Sequence, residues 1–280
     1  MTTKPDLAYL GPEGTFSDIL SKKRYGQSHH LVLKPTIDEV FDYVQQDPSR
    51  EGMVPIENSS GGMIHSSVDR LVSPDNTLLI REGLSIRVNL ALAGHKGRTP
   101  LRVYSHFAPL NHCDKWLNNN LPEAKKIEVA STAEAAKRVA ADPDAAALCT
   151  RDAARLYSLE ILQYPVEQNV ENITQFYCIG HHDASPESNR KKTSMILSLP
   201  NTPGALVDLL LPFKEKGVNL TRILSRPIPG RPQEYIFFID LQGSKDDDAV
   251  KSSIQYLLDH DLCVQLKILG SYPVSEIVDS

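Results

Sequence analysis

The order of apolar and polar positions divides the chain into two patterns. Over the first 180 residues, short apolar runs alternate with segments of helical period. Residues 7–10 read as a strand that stops at Gly11-Pro12, and 16–25 as a helix capped by Thr15 or Ser17. Residues 31–33 form the next strand. A helix from Thr36 to Val44 follows, with Glu39 placed for a capping box. Residues 52–56 read as a strand, and a helix follows the loop 59–62. The long apolar stretch 78–93 predicts two extended segments with a turn near Gly83. Further strands are expected at Val103, 127–129 and 145–148, with helices at 108–117, 132–141 and 151–157 between or after them. Such alternation predicts an α/β fold with mostly parallel sheets. After a polar stretch the pattern changes to strand 194–199, helix 203–216, strands 218–225 and 234–241, helix 247–260 and strand 263–269. That βαββαβ order is ferredoxin-like. Residues 1–181 are therefore expected to form one domain of two lobes, 182–192 a linker and 193–280 a second, smaller domain.

Composition narrows the function classes. The 280 residues carry 30 Lys+Arg against 35 Asp+Glu, a formal net charge of −5. That balance lacks the basic footprint of a nucleic-acid binder, and aromatics at 6% give little stacking surface. No apolar run approaches the roughly 20 residues that span a bilayer, and the N-terminus has no apolar leader core. A cytoplasmic protein is expected. The four cysteines are widely spaced without a CxxC pair, which points to free thiols rather than a zinc site.

Several polar clusters fall where predicted strands end, the place where open α/β sheets bind ligands. Gly11-Pro12-Glu13-Gly14-Thr15-Phe16-Ser17 joins a strand to a helix and offers hydroxyls beside unpaired helix N–H groups. It is neither a Walker A loop nor GxGxxG. A plain strand–helix turn explains it equally well. Val54-Pro55-Ile56-Glu57-Asn58-Ser59-Ser60-Gly61-Gly62 has the same layout and the same two readings. Ser105-His106, Ser131-Thr132 and Thr174 complete the set. His106 alone reads as a capping or surface histidine, and the absence of GxSxG argues against a serine hydrolase.

Together these segments carry more than any one does. With the later runs 203–210 (PGALVDLL) and 218–227 (VNLTRILSRP), the runs 11–17, 54–62, 105–113 (SHFAPLNHC), 131–136 (STAEAA) and 172–176 (NITQF) resemble the prephenate dehydratase family with a C-terminal ACT regulatory domain. The resemblance implies two α/β lobes similar to type II periplasmic binding proteins, with the active site in the cleft between them. It implies dehydration and decarboxylation of prephenate to phenylpyruvate, on the route to L-phenylalanine, without metal or other cofactor. Thr174 would assist departure of the ring hydroxyl. Thr15, Ser17, Asn58, Ser59, Ser105, Thr132, Gln175 and Phe176 would hold the substrate. Gln175 stands where the family usually has arginine, and Leu224 where it usually has glutamate. ACT domains of the family pair across subunits and bind L-phenylalanine between them. That implies a homodimer or homotetramer, with Gly204, Ala205, Leu206, Asn219, Ser225 and Arg226 lining the effector site. Two other readings are an arogenate dehydratase and a catalytically weak two-lobed ligand-binding protein of the same fold.

Overall fold

A computed structural model describes residues 4–167, 170–184, 191–228 and 234–280. The chain forms two compact units. One comprises residues up to Ser67, Leu84–Phe176 and Glu276–Ser280, and the other Val68–Gly83 and Tyr177–Ser275. Residues 185–190 of the expected linker lie outside the described residues.

The first unit begins with β1 (Asp6–Leu10), α1 (Phe16–Tyr25), β2 (His30–Lys34), α2 (Ile37–Gln45), β3 (Glu51–Asn58) and β4 (Gly62–Met63). β1 lies between β2 and β3 and is parallel to both; β4 turns back antiparallel on β3. Thr15 rather than Ser17 caps α1, its Oγ1 accepting from the Asp18 N–H at 3.4 Å. Thr36 caps α2 by accepting from the Glu39 N–H at 3.1 Å, and the Glu39 carboxylate folds back on the same hydroxyl. α2 buries Ile37, Val40, Phe41 and Val44, one helical stripe. Each such side chain contributes roughly 1.5–3 kcal/mol on burial.

α3 (His65–Val72) and β5 (Leu79–Arg87) follow, then β6 (Ala91–Gly94), β7 (Arg102–Ser105), α4 (Phe107–His112), α5 (Asp114–Asn120), β8 (Lys125–Glu128), α6 (Thr132–Val139), β9 (Ala145–Cys149), α7 (Arg151–Leu156), β10 (Glu160–Gln163) and β11 (Ile173–Gly180). A second sheet has the order β10-β6-β9-β7-β8. β7 is parallel to both neighbours, whereas β6 is antiparallel to β9 and β10. β9 is buried throughout. Ala145, Ala147 and Cys149 face one apolar cluster with α6 and α7, while Ala146 and Leu148 face another with Val103, Leu110 and Leu117. Covered on both faces, it reads as a continuous apolar run rather than an alternating one.

Three expectations fail. β5 runs straight through Gly83, and the break comes after Arg87. A Cβ at Gly83 would stand 3.2 Å from the Tyr272 ring, so this glycine seats an aromatic side chain and makes no turn. The helix expected at 108–117 is two short helices, α4 and α5, which meet at Cys113. The last strand runs far beyond residue 269.

In the second unit come β12 (Lys191–Ser198), α8 (Ala205–Glu215), β13 (Leu220–Pro227), β14 (Tyr235–Gln242), α9 (Asp248–Asp259) and, up to Ser275, β15 (Gln265–Asp279), the βαββαβ order expected. The strand order β13-β14-β12-β15 is antiparallel throughout. Met195, Leu197, Ile239 and Leu241 point toward α8 and α9, where they pack with Leu209, Phe213, Ile254 and Leu257. β15 continues past Gly270 because the ladder absorbs a bulge between Ser194 and Met195. Gly270 has φ 148°, and a Cβ there would lie 2.3 Å from the Ile80 carbonyl oxygen. The strand expected to end at 269 thus continues, and Ser271 and Pro273 sit opposite Thr193 and Lys191.

Candidate functional site

Within the first unit a cavity of about 520 Å³ opens at the ends of β1, β3 and β7 and beside β11. Its apolar wall includes Leu10, Ile37, Met63, Ile64, Val88, Phe107 and Phe176, and its polar lining is Thr15, Ser17, Asn58, His106, Ser131, Thr132, Asn172 and Thr174. The lining contains neither Lys, Arg, Asp nor Glu. A polar ligand would be held here by hydroxyls, amides and helix-start N–H groups within an apolar frame.

Thr174 is placed by β11 and is 8% exposed. Strand residues alternate between faces, so Asn172, Thr174 and Phe176 share the cavity side. Gln175 is absent from the lining and takes the other face. The structure does not bring it to the cavity.

Asn58, at the end of β3, organises this corner. Its Oδ1 accepts from the N–H groups of Ser60 (3.0 Å) and Gly61 (2.7 Å), which fixes which way the amide faces. Its Nδ2 then donates to Asn172 Oδ1 (2.7 Å) and to Thr174 Oγ1 (2.9 Å). Since Thr174 Oγ1 accepts from Asn58, its own hydroxyl proton is left to donate. Ser59 does different work. Its N–H donates to the Ile173 carbonyl (2.9 Å) and its Oγ accepts from the Ile173 N–H (3.0 Å), tying β3 to β11 outside the cavity lining.

Two helix starts also border the cavity. In α1 the Thr15 hydroxyl takes the Asp18 N–H, and in α6 the Ser131 hydroxyl takes the Glu134 N–H at 3.0 Å. The earlier N–H groups of each first turn have no intrahelical partner by geometry. Ser17 and Thr132 line the cavity beside them, 6% and 7% exposed. The turn before α1 is seated by Gly14 (φ 85°), whose carbonyl accepts from the Thr150 hydroxyl at 2.6 Å and whose missing Cβ makes room for Ala153.

Ser105 is fully buried, donates to the Leu148 carbonyl at 2.7 Å and does not line the cavity. The next residue, His106, does. Burial holds its imidazole below the usual histidine range, with Glu128 opposing. Among the polar lining residues, His106, Ser131 and Asn172 are those to which sequence reasoning assigned no role at the site. For Asn172 the signal was available: it stands two positions before Thr174, on the same side of an extended segment.

In the second unit, Gly204 caps α8 with φ 88°, Ala205 opens the helix, and Leu206 is 38% exposed. Asn219 Nδ2 reaches Gln242 Oε1 at 3.4 Å. Ser225 and Arg226 lie on β13, the outer strand of the βαββαβ sheet. Arg226 grips Asp69 through two hydrogen bonds of 2.7 Å. No described helix is long and apolar enough to cross a membrane. Among the described residues no group of three or more His, Cys, Asp or Glu side chains is placed to hold a metal ion. The cysteines are free thiols, and burial pushes Cys113 and Cys149 up to about 12.

Comparison with known proteins bears on this site. The sequence profile of prephenate dehydratase matches residues 7–184, and that of the ACT domain residues 193–259. A bifunctional chorismate mutase/prephenate dehydratase of Stutzerimonas stutzeri is 40% identical over 271 residues, covering 95% of this chain and 73% of the relative. A prephenate dehydratase of Lactococcus lactis subsp. cremoris is 32% identical over 276 residues, covering 96% of this chain and 97% of the relative. Among solved structures, a prephenate dehydratase from Arthrobacter aurescens in complex with L-Phe superposes with a TM-score of 0.85 at 28% identity, covering 96% of this chain and 90% of that one. The chain belongs to the prephenate dehydratase family, with an ACT domain following its dehydratase region.

Proposed function

We propose that the cavity around Thr174 is where this enzyme converts prephenate to phenylpyruvate. Prephenate is a dianion with a ring carboxylate and a hydroxyl across the ring from it. As the bond to the ring carboxylate breaks, its electron pair enters the ring and the hydroxyl leaves. Prephenate and one proton give phenylpyruvate, carbon dioxide and water. Aromatisation supplies the driving force, so the protein's task is to orient the substrate, exclude water and stabilise the departing oxygen. Thr174 is too weak an acid to be a general acid. It acts as a positioned donor whose bond strengthens as negative charge builds on the leaving oxygen. The observation that carries this reading is the Asn58 amide, locked by the Ser60 and Gly61 N–H groups and donating to Thr174 Oγ1 at 2.9 Å. Thr15, Ser17 and Thr132, with the first turns of α1 and α6, contact substrate oxygens.

Residues 1–181 form the catalytic domain and 193–280 a regulatory domain that binds L-phenylalanine between paired copies, near Gly204, Ala205, Leu206, Asn219, Ser225 and Arg226. The complex of the Arthrobacter relative with L-Phe supports this. So does the outward position of β13, with Ile223 45% exposed. The assembly is a homodimer or homotetramer working in the cytoplasm. Turnover of prephenate and of arogenate by the purified full chain tests the reading: phenylpyruvate must appear from prephenate, and exclusive turnover of arogenate would replace it. L-phenylalanine added to the same assay must lower the rate.

A further inference from the structure

A dianionic substrate poses a problem for this cavity. Moving carboxylates from water into a partly apolar site costs several kcal/mol per ion unless a charge of opposite sign or several donors meet them. The lining offers no Lys or Arg, and its one ionisable side chain is His106. His106 follows β7 and precedes α4. Its ring rests against Phe107, with ring centres 4.5 Å apart. Its nitrogens have no hydrogen-bond partner among the described residues. Of the other polar lining groups, Asn58 is engaged on both sides and Thr15 and Ser131 serve as helix caps, which leaves neutral hydroxyls, amides and helix-start N–H groups but no positive charge.

We infer that His106 receives one carboxylate of the substrate and takes up a proton as it does so. The inference rests on the reading of the cavity given above. Two nearby titratable groups bear on this histidine's charge. Glu128, at the end of β8, is the acidic group whose field acts on His106 against burial. His112, on α4, has its Nδ1 2.8 Å from Ser60 Oγ and feels Glu167 instead. The remaining walls, from the β1–α1 turn, the β3–β4 loop, α6 and β11, face the cavity without ionisable groups. Without substrate the imidazole is therefore neutral around pH 7, because burial disfavours its charged form and Glu128 only partly compensates. A bound carboxylate reverses that balance. Binding and protonation are then linked, and each strengthens the other.

The sign follows. Substrate capture needs the imidazolium, so kcat/KM falls as pH rises above the histidine's own range, approaching tenfold per pH unit between about 7 and 8.5. The substrate's own carboxylates, with pKa near about 3.5, do not titrate there. The test is the pH profile of kcat and KM for prephenate between pH 6 and 9, on the full chain and on His106→Gln and His106→Ala. Glutamine keeps a donor and removes the proton. The expected result for His106→Gln is a KM raised about tenfold or more at pH 6.5, kcat within a few-fold, and a flat kcat/KM profile. His106→Ala raises KM further. Calorimetric titration of Thr174→Ala with prephenate in two buffers of different ionisation heat must show net proton uptake near pH 7.5, and none after His106→Gln is added. An unchanged KM and an unchanged pH slope in both His106 variants would overturn the inference. If a variant fails to fold, proton uptake in the Thr174→Ala background decides, zero uptake overturning it. Failure of the unsubstituted chain to act on prephenate at all would instead overturn the reading of the cavity.

Discussion

The cavity in the first unit and the buried polar cluster in the second treat polar groups in opposite ways. In the second unit Asp240 is fully buried, and it accepts from Arg222 Nη1 (2.6 Å), the Tyr177 hydroxyl (2.7 Å) and the Ser194 hydroxyl (2.5 Å). Ser194 Oγ in turn lies 2.6 Å from the Tyr272 hydroxyl, and Arg222 also meets Tyr177. These groups come from β11, β12, β13, β14 and β15, on the sheet face away from α8 and α9. The charge is neutralised and its bonds are made within the protein. In the cavity, by contrast, the Thr174 proton and the His106 ring are held in place and left with capacity to spare. An internally bonded network of this kind fixes how strands pair. An open set of oriented donors without an internal acceptor is what a substrate requires. Under the proposed function, the difference separates groups that serve the fold from groups that would serve the reaction. It predicts that substitutions in the two places fail in different ways.

The largest effect is expected at Thr174. Thr174→Ala should lower kcat by about 10²-fold or more with KM changing much less, while the thermal midpoint moves by only a degree or two. Thr174→Ser, which keeps the hydroxyl, should retain most of kcat. Steady-state kinetics beside a melting curve checks both. In the second unit the opposite outcome is expected. Asp240→Ala strands Arg222 beside the Tyr177 phenol, and such a loss costs about 3–5 kcal/mol. Urea unfolding of that variant should show a large drop in midpoint. A similar drop for Thr174→Ala, or none for Asp240→Ala, would break the comparison.

Asn58 sharpens it, since it belongs to both categories. Its Oδ1 closes the β3–β4 turn and its Nδ2 serves Thr174. Asn58→Ala should therefore lose both activity and stability, each by roughly 1–3 kcal/mol. Asn58→Asp should hold the turn while losing the donor to Thr174, so that kcat falls more than the unfolding midpoint does. The smallest effect concerns alkaline pH. Burial and the Asp240 charge raise the Tyr177 phenol above its ordinary 10.0, and Tyr272 is raised in the same way. A raised phenol stabilises the fold fully below pH 10 and loses that contribution as pH climbs beyond it. The loss is about 1.4 kcal/mol per pH unit for each such tyrosine. Tyr177→Phe should cost about 1 kcal/mol at pH 8 and then lose less than the unsubstituted chain between pH 10 and 11, as urea midpoints at each pH would show.

Much of this arrangement was legible in the sequence where a local rule decides the outcome. Helix caps at Thr15 and Thr36 follow from a hydroxyl before an apolar period, and β9 follows from an unbroken apolar run. Gly83 misled because a glycine needed for a close approach has the same letter as one needed for a turn, and the strand expected to stop at 269 runs on through Gly270, which makes a close approach of the same kind. The approaching groups, Tyr272 and the Ile80 carbonyl, are remote in the sequence. The site was legible to the extent that motifs name strand ends. Thr15, Ser17, Asn58, Thr132, Thr174 and Phe176 do line one cavity. Ser59, Ser105 and Gln175 do not, for reasons no motif contains: Ser59 ties two strands, Ser105 bonds a neighbouring strand, and Gln175 is one residue out of phase. His106 was passed over because a lone histidine becomes informative only when the charge of its neighbours is known.

The central claim is that the cavity's oriented hydroxyl at Thr174 does the chemistry. Its most direct test is phenylpyruvate formation from prephenate under single-turnover conditions, by the unsubstituted chain, Thr174→Ser and Thr174→Ala, each shown to be folded. The account predicts comparable product formation by the first two and a rate at least about 10²-fold lower for the third. Product formation by folded Thr174→Ala at the rate of the unsubstituted chain would contradict it.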